Sequence, residues 1–379
     1  MSLHDDYSAR VPTGLAKILY FHWAIAILLA AVAAIGFLML FSAAGGSLEP
    51  WAERQMIRFG LGFGVMLAVA MIHIRVWRSL SVLAYLGSLV LLVAVEFVGR
   101  IGMGAQRWID LGFIQLQPSE LMKVAVVMIL ARYYDWLAPE RASRPFWIIP
   151  PVLLTLAPMG LVLIQPDLGT ALLIGLGAAL VMFLAGVSLW YFGAALAGAV
   201  GIIWLVLASQ GTGWALLHEY QFRRIETFLD PSTDPLGAGY HITQSTIAMG
   251  SGGLTGRGFM EGTQSRLNFL PEKHTDFIFT TLAEEFGFMG SISLLGLYML
   301  IVVFSFASAM TNRYRFGALI TGGIGGTFFL YFAINMAMVT GLAPVVGVPL
   351  PLVSYGGSAM LVLMGAFGLL QSAHVHKPR

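Results

Sequence analysis

The stretch that decides the fold is residues His241–Gly290, which read HITQSTIAMGSGGLTGRGFMEGTQSRLNFLPEKHTDFIFTTLAEEFGFMG. Its first part is polar and rich in glycine, and its last part runs directly into a long apolar segment. The polar part gathers the ionisable side chains of Arg257, Arg266, Glu272, Lys273, His274 and Asp276. Because nearly all the rest of the chain is apolar, the sequence predicts a membrane protein in which one polar loop meets a set of apolar helices.

Composition sets the class of the protein. Hydrophobic residues make up 58% of the 379 residues and charged residues 11%, with a mean hydropathy of +0.81. A soluble domain carries about 25% charged residues. No other polar run is long enough for a soluble domain, so we predict a single membrane domain over residues 1–379 with a large loop at about 209–275. Cysteine is absent, which leaves neither a disulfide framework nor a thiolate metal site.

Ten apolar segments are long enough to cross a bilayer, which takes about 20 residues per helix. The first is too long for the core of a signal peptide and lacks a convincing cleavage site, so we expect it to remain as a span. The predicted fold is an all-α polytopic membrane protein of about ten transmembrane helices, with the large loop between helices 7 and 8. The predicted spans are 18–42, 55–73, 79–98, 119–137, 147–164, 168–186, 188–208, 276–308, 316–340 and 350–373.

Lysine and arginine in short loops set the orientation, since they concentrate on the cytoplasmic side. With the N-terminus inside, the cytoplasmic ends of the spans receive Arg10, Lys17, Arg75, Arg78, Arg132, Arg141, Arg144, Arg313, Arg315, Lys377 and Arg379. The opposite face holds Arg54, Arg58, Arg100, Arg107 and Lys123 near helix ends. We therefore predict that both termini are cytoplasmic and that the large loop is extracytoplasmic, on the outer face of a bacterial cytoplasmic membrane.

Two charged residues begin the fourth span. In Gln117-Pro118-Ser119-Glu120-Leu121-Met122-Lys123 the proline suits a helix start, and the three-residue spacing puts Glu120 and Lys123 on one helix face. A charge inside a membrane helix is expensive and marks a site by default. Two interpretations stay open: the pair neutralises itself and anchors a helix end, or it forms the polar wall of a substrate cavity.

Two further motifs lie on the same predicted face. Trp108 is near the interface, where it is either a membrane anchor or a stacking platform for a sugar. Asp167, in Gln165-Pro166-Asp167-Leu168-Gly169-Thr170, is placed to cap the next helix. Capping alone can explain Asp167, but its position adds a third charged group to the face that holds Glu120 and Lys123.

The large loop has two parts of different character. Residues 218–235 alternate charged and apolar residues, as a helix in the membrane interface does, and Arg223 with Arg224 could meet lipid phosphates. Residues 250–258, the glycine-rich segment, include Arg257 and have a backbone able to approach a ligand closely. This segment lacks the Lys-Ser/Thr ending of a nucleotide P-loop, so we expect no ATP or NAD site.

The loop ends where the eighth span begins. Thr275 is a plausible N-cap, which puts Asp276 in the first helical turn, where the helix dipole favours an ionised carboxylate. An acid at a helix start needs no function, but Arg257, Lys273 and His274 lie on the same loop. The presence of these residues on the same loop as Asp276 predicts a site where the loop meets the membrane.

Two other features bear on this region. Glu284 and Glu285 follow on the same helix, where burial would require partners. Near the last span, Pro344, Pro349 and Pro351 break the helix entry. The break either lets non-helical backbone line a cavity or is purely structural.

The motifs in combination resemble one family, the SEDS family (shape, elongation, division and sporulation), over residues 106–372. They are RWIDLG with QPSELMK, QPDLGTA, GSGGLTGRGFMEGTQSRLNFLPEKHTDFIF and PLPLVSYGGSAM. The GTQS and FLPEKHTDFIF forms are more similar to the elongation members of the family than to its division members.

The resemblance implies a ten-helix peptidoglycan glycosyltransferase of the bacterial inner membrane, with its active site on the extracytoplasmic face. It implies polymerisation of lipid II, the undecaprenyl diphosphate-linked disaccharide peptide, together with a class B penicillin-binding protein and other proteins of the elongation complex. No nucleic acid partner is indicated. In the family the aspartate of the HTDF motif is the catalytic residue, and it falls on Asp276. The family's cavity residues fall on Trp108, Glu120, Lys123 and Asp167.

The chemistry of such a transfer needs few groups. A base must take the proton of the acceptor hydroxyl, and cations must hold the departing diphosphate. Because diphosphate leaves readily, one carboxylate can suffice, so Asp276 is the predicted base of an inverting transfer and His274 its rival. A divalent cation, Mg²⁺ or Mn²⁺, could bridge the diphosphate, although no tight ligand cluster marks a metal site. The predicted substrate-binding cations are Lys123, Arg257, Arg266 and Lys273.

Two other functions stay open at this point. A lipid II flippase would also be polytopic with buried charges, but it would need ionisable groups toward both leaflets and an alternating-access repeat. A non-catalytic scaffold that only activates a penicillin-binding protein would tolerate the loss of Asp276. An enzyme would not.

Overall fold

The computed structural model describes residues 14–102, 105–110, 112, 115–210, 238–263 and 274–377. Ten long α-helices in these ranges occupy the ten predicted spans one for one, which confirms the predicted fold class. Before the large loop they are α1 (Trp23–Ala43), α2 (Ala52–Met71), α3 (Ile74–Val98), α4 (Pro118–Trp136), α5 (Pro145–Ile164), α6 (Leu168–Leu184) and α7 (Leu189–Ala208). After it begins come a shorter helix and the last three spans, α8 (Ala238–Ser251), α9 (Ile278–Met310), α10 (Arg315–Val339) and α11 (Ser358–Val375). Short 3₁₀ turns cover Gly14–Tyr20 and Pro139–Arg141.

Length and composition show a multi-pass membrane protein. Eight helices of the described part are long and apolar enough to cross a bilayer. Of the other two spans, α6 is apolar but has 17 residues, and α4 carries charged residues. The charges of α4 lie near its two ends, so its middle is apolar: they are Glu120, Lys123, Arg132 and Asp135. Both helices therefore still suit a bilayer.

α10 lies at the centre of the bundle, where it packs against α4, α6, α9 and α11. Close packing depends on its glycines. A Cβ built at Gly326 would lie 1.7 Å from Leu180 Cδ2, and one at Gly323 would lie 2.7 Å from Val127 Cγ1. Membrane helices associate through such close van der Waals contact, because lipid offers no hydrophobic drive between them. α7 differs from α10 in having no buried residue.

α9 is interrupted at Gly287, whose φ of 63° and ψ of −157° are not helical. The glycine-rich segment fills the interruption. The N–H groups of Arg257 and Gly258 donate to the carbonyls of Glu284 and Glu285, each at 3.0 Å. Beyond the interruption, the next two N–H groups of α9 donate to carbonyls of the segment at 2.9 and 3.0 Å. Because an unpaired backbone group in a bilayer costs several kcal/mol, this segment is part of the membrane fold.

The glycines of this segment serve close approach to α9. A Cβ at Gly256 would lie 2.0 Å from Glu285 O, and one at Gly252 would lie 2.0 Å from Ala283 O. The sequence suggested a backbone able to approach a ligand. The structure shows that approach made to another helix, so the segment positions α9.

A small sheet lies between α3 and α4. It is antiparallel, and its strands are β1 (Arg100–Gly102), β2 (Ala105–Asp110) and β3 (Gln115–Leu116). Arg100 pairs with Trp108, and Ile109 pairs with Leu116. Pairing between the strands satisfies backbone N–H and C=O groups of these residues, which lie outside any helix. Consequently Arg107 and Trp108 lie on a strand at the entrance to α4.

Two helices begin later than predicted, at the end of the bundle that also holds the sheet. α9 begins at Ile278 instead of residue 276, and α11 begins at Ser358 instead of residue 350. Residues 340–357 between α10 and α11 are non-helical, and Ser354 Oγ accepts the N–H of Leu350 at 2.7 Å. The predicted break of the helix entry is therefore confirmed. We call this end of the bundle the site end.

The other end, the base of the bundle, is held by side chains bonded to loop backbone. Gln371 exchanges two hydrogen bonds with the backbone of His22, at 2.9 and 3.2 Å. Ser372 Oγ donates to Ile72 O at 2.6 Å. Asp135 accepts the N–H of Phe316 at 3.1 Å. These bonds connect the residue before α1, the α2–α3 turn and the first turn of α10 to neighbouring helices.

Candidate functional site

Asp276 lies in a turn, residues 274–277, that α10 and the 340–357 segment hold in place. Asn335 Nδ2 of α10 donates to Asp276 O at 2.9 Å. From the 340–357 segment, Ser354 Oγ donates to Thr275 O at 2.6 Å and Tyr355 N donates to His274 O at 2.9 Å. Three successive carbonyls are thus fixed from outside the turn. Asp276 itself is half-buried, so its carboxylate is positioned by a rigid backbone and still partly accessible.

The predicted N-cap at Thr275 is wrong. The residue that precedes α9 is Phe277, which makes no side-chain cap, and Asp276 lies before the first helical turn. The cause is tertiary: Ser354 and Asn335 take the carbonyls of Thr275 and Asp276, so these residues adopt a turn docked on neighbouring elements.

Asn335 bridges two parts of the site. Its Nδ2 also donates to Val348 O at 2.7 Å, so one amide connects the Asp276 turn to the 340–357 segment. A Cβ built at Gly347 would lie 3.7 Å from Asp276 Oδ2. The Asp276 carboxylate therefore lies against the backbone of that segment.

His274 is enclosed by aromatic rings. Its imidazole stacks on the Trp51 indole with centroids 4.3 Å apart and planes at 10°, and the Tyr355 ring lies 6.2 Å away on a tilt. Such stacking fixes the ring in one orientation. His274 therefore has a packing role at the site end, beside any part in binding substrate.

Glu120 and Lys123 form a buried ion pair. Lys123 Nζ lies 2.7 Å from Glu120 Oε1, and the two residues are 5% and 4% exposed. Tyr331 Oη of α10 donates to Glu120 Oε2 at 2.8 Å, and Lys123 Nζ lies 4.3 Å from the centroid of the Tyr331 ring. The pair neutralises itself, and Glu120 and Lys123 also line a cavity, so the substrate-cavity interpretation stays a prediction.

Two cavities meet at this pair. Each has a volume of about 30 Å³, and both are lined by Glu120, Tyr331 and Leu363. One extends among apolar side chains of α4, α10 and α11. The other reaches Gln55 and Ser354, and Ser354 binds the Asp276 turn. The second cavity therefore has Glu120 in its lining together with Ser354, the residue that binds the Asp276 turn.

Asp167 caps α6, as predicted. Its carboxylate accepts the N–H of Thr170 at 3.1 Å and the Thr170 hydroxyl at 2.9 Å. Arg107 of β2 lies 4.0 Å from Asp167 and donates to the carbonyls of Gln165 and Pro166. The cap and the sheet are thus bound to each other. Trp108, next to Arg107 on β2, is half-buried.

The start of α6 also lies against the segment that faces Asp276. A Cβ at Gly169 would lie 2.5 Å from Val346 O, one residue before Gly347. The start of α6 and the Asp276 carboxylate therefore both lie near residues 346–347, at the same end of the bundle as Glu120 and Lys123.

Glu284 and Glu285 are buried and have partners, as predicted. They are 0% and 2% exposed. Thr263 Oγ1 donates to Glu284 at 3.1 Å, and Ser42 of α1 donates to Glu285. Arg257 Nη1 donates to Thr263 at 2.8 Å. Arg257 is exposed, and it belongs to this network beside the interruption of α9.

Some predicted residues and features lie outside the described ranges. They are Arg266, Lys273 and the interfacial helix at 218–235. Among the residues the structure does describe, no three His, Asp or Glu side chains converge as ligands for a metal ion.

Sequence reasoning missed Tyr331, Asn335, Gln55 and Ser354. The first two lie four residues apart on α10, so they share one face of an otherwise apolar helix. A tyrosine and an asparagine at that spacing in a predicted span are the signal that could have found them.

Comparison with known proteins identifies the family. The model of the FtsW/RodA/SpoVE family, described as cell cycle protein, matches residues 22–379. This chain belongs to that family. The family resemblance drawn from the motifs is thereby confirmed.

Individual members agree along nearly the whole chain. A peptidoglycan glycosyltransferase MrdB of Escherichia coli K12 is 44% identical over 345 residues, which cover 90% of each chain. A chain in a structure described as coordinating polymerization and crosslinking by a peptidoglycan synthase complex is 34% identical, with a TM-score of 0.78 over 93% of this chain and 97% of that one. The rod shape determining protein RodA of Thermus thermophilus is 30% identical, with a TM-score of 0.71 over 97% and 100%. The fold of the family therefore extends through this chain.

Proposed function

We propose that this chain is a peptidoglycan glycosyltransferase that polymerises lipid II into glycan strands during cell elongation. The observation that carries the proposal is the docked turn at Asp276. The residue that carries the half-buried carboxylate is held there by bonds to three successive backbone carbonyls, and one of the bonding residues, Ser354, also lines a cavity that contains Glu120. The names of related proteins support the reaction class.

Asp276 acts as the general base in this mechanism. It takes the proton from the acceptor sugar hydroxyl while that oxygen attacks the anomeric carbon of the donor, and the bond to the diphosphate breaks with inversion. A base held by a rigid backbone needs little reorganisation when the proton moves. The leaving group is undecaprenyl diphosphate, which needs no proton from a second carboxylic acid.

The charged pair has a supporting role. Lys123 offers a cation to the substrate from the cavity wall, and Glu120 with Tyr331 keeps its ammonium group in one place. Asp167, which caps α6, and Trp108 stay candidate contacts for the substrate, and the ring of His274 stacks on Trp51 beside the turn. Arg257, Arg266 and Lys273 stay candidate contacts from the loop. A Mg²⁺ or Mn²⁺ ion would supply positive charge to the departing diphosphate.

Orientation and partners follow from charge and from relatives. Lysines and arginines such as Lys17, Arg78, Arg132 and Arg315 lie at the base, so the base faces the cytoplasm and the site end faces outward. Both termini are then cytoplasmic. A class B penicillin-binding protein is the proposed partner, because one related structure is of a complex that coordinates polymerization with crosslinking.

The test is reconstitution of the purified chain in lipid vesicles with labelled lipid II. Asp276→Asn keeps the size of the side chain and removes the base, so we expect polymer formation to fall at least about a thousandfold with unchanged thermal unfolding. Equal polymer from the variant would remove the base assignment, and no polymer from either protein would favour a scaffold. Movement of lipid II across the bilayer without polymer would favour a flippase.

A further inference from the structure

Arg58 is a cation inside the membrane that has no carboxylate partner among the described residues. It lies on α2, six residues after the helix begins at Ala52, which is about 9 Å along the axis. Its Nη1 atom is buried and has no hydrogen-bond acceptor. A charged side chain at such a depth marks a functional site by default, because its burial is costly.

The guanidinium group is held in place by an aromatic ring. Arg58 Cζ lies 4.7 Å from the centroid of Tyr355. Tyr355 in turn donates its N–H to His274 O, two residues before Asp276. A cation stacked on a ring is oriented without using its N–H donors. Arg58 therefore presents donors next to the Asp276 turn.

Three other cations that the structure describes at the site end have partners. Lys123 is bound to Glu120 at 2.7 Å. Arg107 donates to two backbone carbonyls of the turn before α6, and Arg257 donates to Thr263. Of these four described cations, Arg58 is the one with a buried N–H donor that has no acceptor. An anion arriving at the site end would therefore gain most from Arg58.

The neighbours of Arg58 on α2 connect it to the cavity. Gln55 lies one turn earlier on the same helix, and Gln55 Nε2 donates to Ser354 O at 2.9 Å. Gln55 also lines the cavity that contains Glu120. Arg58 thus lies one helical turn from a residue that lines the cavity containing Glu120.

We propose that Arg58 binds the diphosphate of the lipid-linked substrate, with Tyr355 as the residue that orients its guanidinium. This assignment rests on the proposed glycosyltransferase function. The planar guanidinium can donate two parallel hydrogen bonds to phosphate oxygens, which a single ammonium cannot do in a fixed geometry. The phosphate of a membrane lipid headgroup shares this chemistry, and the experiment separates the two sources.

The experiment measures binding of undecaprenyl diphosphate to the full chain in detergent, and separately kcat and KM for lipid II polymerisation. Arg58→Gln should weaken diphosphate binding at least tenfold and raise KM more than it lowers kcat. Arg58→Lys should weaken diphosphate binding less than Arg58→Gln does, because lysine keeps the positive charge. Arg54→Gln is the matched control, since Arg54 is exposed one turn earlier on α2, and it should bind within twofold of the wild type.

The outcomes are distinct. Wild-type affinity in Arg58→Gln, or an equal loss in Arg54→Gln, would overturn the proposal. Displacement of the diphosphate by phosphatidylglycerol at equal concentration would also overturn it, in favour of a headgroup anchor. If Arg58→Gln unfolds, Arg58→Met keeps the stem of the side chain and the same comparison applies. Asp276→Asn should bind the diphosphate normally. The binding test of Arg58 can therefore still be interpreted if Asp276 proves not to be the general base.

Discussion

The two ends of the helix bundle use polar residues differently. At the base, Gln371 and Ser372 bond to loop backbone, so the loops and helices there form one connected unit. At the site end, polar side chains hold irregular backbone around cavities, and Arg58 retains a buried donor without an acceptor. The first arrangement stabilises a closed end, and the second keeps groups available to a ligand.

This difference bears on the choice between polymerisation and transport. Alternating access requires both ends of the protein to open in turn. Opening the base would break several side-chain to backbone bonds together, each of which contributes about 0.5–1.5 kcal/mol. The arrangement therefore favours chemistry at one face over movement of lipid between faces.

The largest effect expected on stability is at the buried pair. Lys123→Met leaves Glu120 buried without its partner, which destabilises by about 3–5 kcal/mol. It also removes a cation from the cavity wall, so polymerisation should fall more than about tenfold. Thermal unfolding in detergent and polymer yield from labelled lipid II measure the two effects.

The double variant Glu120→Gln/Lys123→Met separates the two interpretations of the pair. It leaves no unpaired charge, so most of the lost stability should return. Polymer yield should stay low, because the cation is still missing. Wild-type yield from the double variant would mean that the pair is only an anchor for α4.

A smaller effect is expected at the interruption of α9. Gly256 and Gly253 have φ values of 82° and 57°, so alanine is strained at both, at about 1–2 kcal/mol. Gly256→Ala also drives its Cβ toward Glu285 O, whereas a Cβ at Gly253 meets nothing within 4 Å. Gly256→Ala should therefore lower the stability of the protein by about 1–3 kcal/mol more than Gly253→Ala does.

The matched pair is compared by thermal unfolding and by polymer yield. The yield should fall further in Gly256→Ala, because α9 begins directly after the Asp276 turn. Equal unfolding midpoints for the two variants would show that the segment does not restrain α9.

The sequence predicts features that depend on local patterns. Hydropathy and length suffice for the ten spans, because a bilayer requires apolar helices of one length. The cap at Asp167 follows from three neighbouring residues. The spacing of Glu120 and Lys123 places them on one helix face, and the structure confirms their contact.

Features that depend on distant residues escape such reasoning. Thr275 has the composition of an N-cap, but Ser354, 79 residues away, takes its carbonyl. The interruption at Gly287 exists because a segment about 30 residues earlier supplies hydrogen bonds. Arg58 is notable only once Tyr355, near the other end of the chain, lies against it. Local propensity cannot show which of these contacts forms.

The smallest expected effect is at the base and concerns pH. Burial lowers the pKa of His376 to about 4, partly offset by the hydrogen bond to Ser372 O, and the charges of His73 and Lys17 add to the lowering. Below the usual histidine pKa of about 6.5, the unfolded chain therefore binds a proton that the folded chain does not. Stability should fall as the pH drops from about 6.5 toward 4.

His376→Gln removes this contribution. Between about pH 7.5 and about pH 5, the unfolding midpoint of the variant should fall by a few degrees less than that of the wild type. A residual fall remains, because burial also lowers the pKa values of His22 and His73. Polymer yield at about pH 7.5 should not change, since none of the proposed substrate-binding residues lies at this end of the bundle. An equal fall of the unfolding midpoint in the variant and in the wild type would show that His376 accepts a proton in the folded protein. In that case the base is less closed than its hydrogen bonds indicate, and the contrast between the two ends would weaken.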